Sequence, residues 1–247
     1  MSFEDHFSRA AQDYARHRPS YPTDLFSYLA SVSPGLDLAW DCGTGNGQAA
    51  LALVEHFERV VATDASADQI KHAFRHDAVE YRVEPAESVS LATGSVDLVT
   101  VAIAVHWFDF DRFYTEVRRV LKPAGVLAVW TYHLPTIEPR IDSLLRRYHG
   151  EVLKGYWPER IRYVDDRYKT LPFPFSELAP PPIHMETAWT LAQVAGFLDS
   201  WSGTRRFEAE SGRHPLEEIW DQLEAAWGDA NQERCLDWPL HLRVGKV

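Results

Sequence analysis

Short apolar runs alternate with amphipathic segments from residue 36 to residue 130. The runs are five to ten residues long and end at glycine, aspartate or a turn, which is typical of buried strands. Between them, apolar residues recur at the spacing of a helix face. Because parallel strands need a crossover helix to connect them, this order predicts a doubly wound α/β sheet. The predicted strands are 36–42, 59–63, 79–83, 96–105 and 126–130, and the predicted helices between them are 48–57, 66–75 and 111–121.

Two amphipathic helices are predicted before the first strand, at 5–17 and 23–32, and Pro19 and Pro22 lie between them. Proline lacks a backbone N–H and fixes φ, so it ends the first helix. This opening segment therefore predicts a helical cap on the core.

The alternation stops after Tyr132. Residues 133–185 hold eight of the 15 prolines, which a regular strand–helix repeat would not carry, so they predict a lid-like insertion with a helix near 138–153. The pattern then resumes with strands at 183–190 and 240–244 and helices at 191–200 and 215–226. Together the strands predict a Rossmann-like, mostly parallel seven-stranded sheet. The predicted divisions are the N-terminal helical cap 1–32, the α/β core 33–132, the lid-like insertion 133–182 and the C-terminal part of the core sheet 183–247.

Composition narrows the class of protein. The chain is 45% hydrophobic and 25% charged, which is typical of a globular protein, and no stretch approaches the ~20 apolar residues of a membrane span. The net charge of −11 repels a phosphate backbone, so we expect no nucleic acid partner and no membrane partner. Only two cysteines are present, without metal-ligand spacing, so we expect a reduced, cytoplasmic protein and no metal site. The oligomeric state is not indicated.

A glycine loop, Gly43-Thr44-Gly45-Asn46-Gly47, lies between the first strand and its helix. Glycines there permit positive φ and let the backbone approach a ligand, and the helix N-terminus offers free N–H groups. The loop alone fits a tight turn without a ligand equally well. Asp64, which ends the second strand 21 residues after Gly43, is placed to accept hydrogen bonds from both hydroxyls of a ribose. Its alternative role is to cap the next helix.

The spacing within the loop bears on which nucleotide it binds. Its glycines occupy the first, third and fifth positions, whereas a dinucleotide fingerprint needs one at the sixth, where this chain has Gln48. A phosphate-binding Gly-Lys-Ser/Thr sequence is also missing. The loop therefore favours a cofactor without phosphates, such as S-adenosylmethionine.

These residues resemble a known family. The segment from Asp41 to Gln48 resembles the first motif of class I S-adenosylmethionine-dependent methyltransferases, and the similarity extends over 36–131. The opening segment 7–22 is further similar to a type 11 subfamily that includes trans-aconitate methyltransferases. The other matching motifs are Asp64-Ala65-Ser66, Ala86-Glu87, His106-Trp107-Phe108 and the turn 119–125.

The resemblance implies a set of cofactor-binding residues. Asp41 would orient the loop or meet the amino group, Asp64 would bind the ribose, and Arg18 would pair with the cofactor carboxylate. The full set is Tyr14, Arg18, Asp41, Gly43, Gly45, Asp64, Ala65, Gln69, Ala86, Glu87 and Ala102.

Methyl transfer from a sulfonium is an in-line displacement, so the protein must place a nucleophile near the methyl group and exclude water. A general base is needed only when the acceptor is protonated. His106 is the catalytic candidate, because strand tips on this fold face the ligand crevice; the alternative is a histidine that only packs there. Trp107, Tyr132 and His133 are the predicted acceptor-site residues.

The sequence thus predicts a methyltransferase that acts on a small organic molecule, with a carboxylic acid as one candidate acceptor. Two alternatives stay open at this point. One is a nicotinamide-dependent oxidoreductase of similar topology, and the other is a protein that binds S-adenosylmethionine without catalysis.

Overall fold

The structure, a computed structural model, describes residues 19–247. The predicted helix 5–17 and the predicted cofactor residues Tyr14 and Arg18 lie outside the described residues. Within 19–247, no helix combines the length and apolar character needed to cross a membrane.

The core is a seven-stranded sheet in the order β3-β2-β1-β4-β5-β9-β6. Strands β1 to β5 are parallel to one another, β9 is antiparallel to β5, and β6 is antiparallel to β9. The predicted seven-stranded, mostly parallel fold is therefore confirmed. The strands are β1 Leu38–Cys42, β2 Arg59–Asp64, β3 Val79–Val83, β4 Val96–Ala102, β5 Leu121–Thr131, β6 Ser176–Leu178, β7 His184–Trp189, β8 Arg234–Pro239 and β9 His241–Lys246.

Apolar clusters cover both faces of this sheet. In β1, Ala39 belongs to one cluster and its neighbour Trp40 to the other; in β4, Leu98 and Val99 divide in the same way. Strands buried on both faces explain why the central runs are almost wholly apolar. The helices are α1 Thr23–Val32, α2 Gln48–Leu53, α3 Ala67–His72, α4 Phe110–Val120, α5 Pro139–Arg147, α6 Arg162–Asp165, α7 Leu191–Asp199, α8 Ser202–Ser211 and α9 Trp220–Trp227.

One predicted strand lies in a different sheet. β7, predicted as a core strand, pairs with β8 in a separate two-stranded antiparallel sheet. Only alternate residues of β7, such as Met185 and Trp189, are buried, as expected for a sheet with one solvent-exposed face. The seventh core strand is instead β6, which comes from the insertion. Because β6 is three residues long and at the sheet edge, it needs no apolar run.

Several element bounds differ from the predicted ones. β4 ends at Ala102, because Ile103 has φ +53° and the chain continues into a 3-10 turn. The predicted turn before the fifth strand lies inside β5, where Ala124 has φ +63° and the pairing with β4 shifts. The predicted helix 138–153 is α5 followed by a π-helical turn at Tyr148–Val152.

Two elements near the C-terminus have no counterpart among the predicted ones. They are α8, whose residues are mostly polar, and β8, which follows a short loop. The division into cap, core, insertion and C-terminal part stays a prediction.

Candidate active site

The predicted cofactor residues gather at the carboxyl ends of the central strands. Asp41 is the penultimate residue of β1, Asp64 ends β2, and Ala102 ends β4. β1 lies between β2 and β4, and the chain reverses its direction of winding between β1 and β4. In open α/β sheets this switch point is where ligands bind.

The glycine loop leaves one open position for a ligand. Gly43, Gly45 and Gly47 all have positive φ, at +67°, +56° and +85°. A Cβ on Gly43 would lie 2.7 Å from the Ala104 Cβ, and one on Gly47 would lie 2.2 Å from the Tyr81 hydroxyl oxygen. A Cβ on Gly45 would have only the Gln69 Oε1 near it, at 3.9 Å. Gly45 is therefore where a ligand can approach the backbone most closely.

Asp64 connects this loop to the second strand. Its Oδ2 accepts a hydrogen bond from the Gly45 N–H at 2.9 Å, and its Oδ1 accepts one from the Ser66 N–H at 2.8 Å. The cap of α3 is the Ser66 side chain, which accepts from the Gln69 N–H at 3.3 Å. The alternative role of Asp64 as the cap is thus filled by Ser66.

Asp41 is buried directly beneath the loop. Its Oδ2 accepts from the Thr44 hydroxyl at 2.5 Å and its Oδ1 from the Thr100 hydroxyl at 2.8 Å. Burial raises the pKa of the Asp41 carboxyl to about 6, although the two threonine hydrogen bonds partly oppose this shift. The carboxylate therefore joins β1, the loop and β4 at one point.

The remaining predicted cofactor residues differ in their solvent exposure. Ala86 and Gln69 are buried, whereas Ala65 is exposed. The Glu87 Oε1 accepts a hydrogen bond from the Asp109 N–H at 2.9 Å, beyond the tip of β4. Gln48, just after the loop, donates to the Pro19 carbonyl at 3.0 Å and so places the start of the described chain beside the loop.

A cavity of about 110 Å³ lies beside the tip of β4. The insertion, the segments after β4 and β5, and the α7–α8 connection all contribute to its wall. Ile103 lines it with a positive φ, which is costly for a β-branched residue and is typical of functional sites. The lining residues are Ile103, His106, Trp107, Tyr132, His133, Leu134, His149, Trp157, Ile161, Val164, Phe197, Ser200, Trp201 and Ser202.

His106 lies at the cavity wall with almost no solvent exposure. Its Nδ1 is 2.9 Å from the Tyr168 hydroxyl oxygen, and Arg160 donates to the carbonyl oxygens of His106 and Phe108 at 3.1 and 2.6 Å. Burial and, secondly, the charge of Arg160 lower the pKa of the His106 imidazole to about 3. The ring is therefore neutral and weakly basic near pH 7.

Comparisons with known proteins agree with this geometry. A family model described as a methyltransferase domain matches residues 40–129. A Dictyostelium discoideum protein named as a methyltransferase is 32% identical over 251 residues, covering 99% of this chain and 95% of that protein. A solved structure from Anaeromyxobacter dehalogenans, named as a type II methyltransferase, is 43% identical with a TM-score of 0.86, covering 93% of this chain and 97% of that one.

The chain belongs to the class I S-adenosylmethionine-dependent methyltransferases. A Saccharomyces cerevisiae protein named as an S-adenosylmethionine-dependent methyltransferase is also similar, at 26% identity over 76% of this chain and 77% of that protein. S-adenosylmethionine is thus the cofactor of this methyltransferase, and the nicotinamide alternative is set aside. The trans-aconitate subfamily and the individual residue roles stay predictions.

Three further residues contact the predicted site residues His106 and His133. The Tyr168 hydroxyl lies 2.9 Å from His106 Nδ1, and His149 and Asp165 lie beside His133. They come from the insertion, far from the motifs in sequence, so only the folded chain brings them together. The π-helical turn that carries His149 is typical of functional sites, but no sequence pattern marks it.

We expect cofactor affinity in this methyltransferase to depend on the ionisation of Asp41. The cofactor carries a positive sulfonium, so it favours the ionised carboxylate, and binding lowers the pKa of Asp41 from about 6. Affinity should therefore rise with pH from 5 to 7, by at most about tenfold per pH unit, because a single proton is released. Calorimetric titration with S-adenosylmethionine across this range measures the effect.

Asp41→Asn is the matched variant, because it keeps the size of the side chain and removes its titration. Its affinity should be lower at pH 7 and nearly independent of pH. An unchanged pH slope in this variant would assign the titration to another group.

Proposed function

We propose that this methyltransferase transfers the methyl group of S-adenosylmethionine to a small organic molecule bound in the aromatic cavity. The position of the cavity carries the proposal. Ile103, His106 and Trp107 follow β4 and line the cavity, and Gly43 of the loop packs closely against Ala104 of the same segment. The cavity therefore adjoins the loop at which the family holds its cofactor, as a direct methyl transfer requires.

The chemistry of the wall indicates the class of acceptor. Most lining side chains are aromatic or aliphatic, and the polar ones include His133, His149 and Ser200. The described lining residues include no arginine or lysine. These features favour a molecule with an apolar body and one or two polar groups, such as a monocarboxylic acid or a phenol, over a polycarboxylate.

The properties of His106 favour an acceptor that is already ionised. An imidazole with a pKa of about 3 is a poor general base at pH 7, because proton transfer to it is unfavourable. We assign His106 to shaping and hydrogen bonding at the acceptor site, with Tyr168 fixing its ring. A carboxylate needs no deprotonation and is compatible with this assignment. Trp107 and Tyr132 complete the wall beside it.

The test is a panel of monocarboxylic acids, phenols and polycarboxylates, with S-adenosylhomocysteine formation measured by mass spectrometry. Trp157→Ala opens the cavity wall, and Trp220→Ala changes a partly buried tryptophan outside the lining. We expect turnover of a mainly apolar acceptor, a higher acceptor KM for Trp157→Ala, and an unchanged KM for Trp220→Ala. Lack of turnover with every compound would contradict the proposed class of acceptor. Salt-sensitive, tight binding of DNA or RNA would contradict a small-molecule acceptor.

A further inference from the structure

Two histidines and an aspartate converge at the cavity wall. His133 follows β5, His149 lies in the π-helical turn after α5, and Asp165 ends α6. The Nε2 atoms of both imidazoles lie 3.2 Å from the same oxygen, the Asp165 Oδ1. The three possible ligand atoms all lie within 4.8 Å of one another. Three separate segments thus present two nitrogens and one carboxylate oxygen to a common point.

The spacing of these atoms is informative. Metal–nitrogen and metal–oxygen bonds of about 2.0–2.2 Å place neighbouring ligand atoms of a tetrahedral site about 3.4 Å apart. A charge-assisted N–H···O bond is typically about 2.7–2.9 Å long. The two distances of 3.2 Å lie between these values, at the long end of a hydrogen bond and slightly short of the spacing of tetrahedral ligands, so both contacts are compatible with a bound metal.

The side chains are also held in place. The His149 ring centroid lies 4.7 Å from that of Trp157 and 5.9 Å from that of Trp201, and 4.7 Å from that of His133. Aromatic packing therefore restricts the His149 ring.

We propose that His133, His149 and Asp165 bind one divalent zinc ion at the wall of the acceptor cavity. Two imidazoles and a carboxylate suit zinc and leave a fourth coordination position open. Since both imidazoles also line the cavity, an ion there would offer that position to an oxygen or nitrogen atom of a bound molecule. The site goes beyond the proposed methyl transfer, which needs no metal.

Charged groups near the site limit its strength. Arg167 and Lys169 lie close enough to interact with His241, which in turn interacts with His133. Because these positive side chains oppose a cation nearby, we expect a site that an excess of chelator empties.

The sequence predicts no metal site, because each of the three residues lies 16 positions after the one before it and together they match no ligand motif. The test uses the full chain without an affinity tag, freed of metal with EDTA and dialysed. Zn²⁺ is titrated by calorimetry, and Co²⁺ by its visible absorption, which reports the coordination geometry. We expect one equivalent to bind to the unmodified chain.

Asp165→Asn and His133→Asn should each weaken Zn²⁺ binding by at least about tenfold, since loss of even an outer partner typically costs that much. His184→Asn is the matched control, because His184 Nδ1 lies 2.8 Å from the Asp237 Oδ1 without a third ligand among the described residues. Its Zn²⁺ affinity should not change. Thermal melting of the metal-free variants checks folding, and either cluster variant suffices if the other is unfolded. Absence of stoichiometric binding, unchanged affinity in a folded cluster variant, or an equal loss in His184→Asn would overturn the proposal.

Discussion

Replacing Asp64 by alanine should lower the affinity for the cofactor by about 30- to 100-fold, or roughly 2–3 kcal/mol. The residue is proposed to accept hydrogen bonds from the ribose hydroxyls, and hydrogen bonds to a charged acceptor are the stronger kind. Its Oδ2 also holds the Gly45 N–H at 2.9 Å, so the variant loosens the glycine loop as well. Calorimetric titration with S-adenosylhomocysteine measures the change without turnover.

Two further variants separate the causes of that loss. Asp64→Asn keeps one acceptor oxygen and removes the charge, so its affinity should fall between those of the wild type and Asp64→Ala. Asp68→Ala removes a neighbouring carboxylate whose ion pair is with His72, at 3.7 Å, and its affinity should not change. Wild-type affinity in Asp64→Ala would remove this residue from the binding site. An equal loss in Asp68→Ala would indicate a general effect of charge.

The geometry of the glycine loop was predictable because its constraints are local. Gly43, Gly45 and Gly47 are needed where the backbone adopts positive φ, and such a requirement shows directly in the residue type. Asp64 follows from its place at the end of a strand that is adjacent to the loop. The parallel core was predictable for a similar reason, since strands buried on both faces leave continuous apolar runs such as Val96–Ala102.

The acceptor side depends on contacts between distant segments, which no local pattern records. β6 carries only three residues at the sheet edge, and its place there is decided by pairing with β9. Tyr168 meets His106 across 62 residues of sequence. The low pKa of His106 likewise results from its burial and from the charge of Arg160. The residue type alone suggests a general base, but burial in the folded protein makes the imidazole too weakly basic for that role.

Arg160 shows the same dependence on tertiary structure. Its guanidinium donates to two backbone carbonyls beyond the β4 tip and lies 5.6 Å from the centroid of the Phe110 ring. It therefore braces the segment that carries His106 and Trp107. The insertion thus supplies part of the cavity wall and also supports the strand tip beside it.

Gly45→Ala should weaken cofactor binding by at least about tenfold, because its Cβ would project into the one open space along the loop. The residue also has φ +56°, so the alanine should cost about 1 kcal/mol of folding free energy from backbone strain alone. Stability and affinity must therefore be measured separately, by chemical denaturation of the free protein and by calorimetric titration with S-adenosylhomocysteine.

Gly94→Ala is the matched control for that strain. Gly94 has φ +63° and no atom within 4 Å of the added Cβ, and it lies just before the amino end of β4, whereas the glycine loop follows the carboxyl end of β1. It should lose about the same 1 kcal/mol of stability as Gly45→Ala and keep full affinity. Gly47→Ala should lose more stability than either, because its Cβ would lie 2.2 Å from the Tyr81 hydroxyl oxygen. If Gly45→Ala and Gly94→Ala bound the cofactor equally well, the backbone at Gly45 would not lie against the ligand, and the open space there would need another occupant.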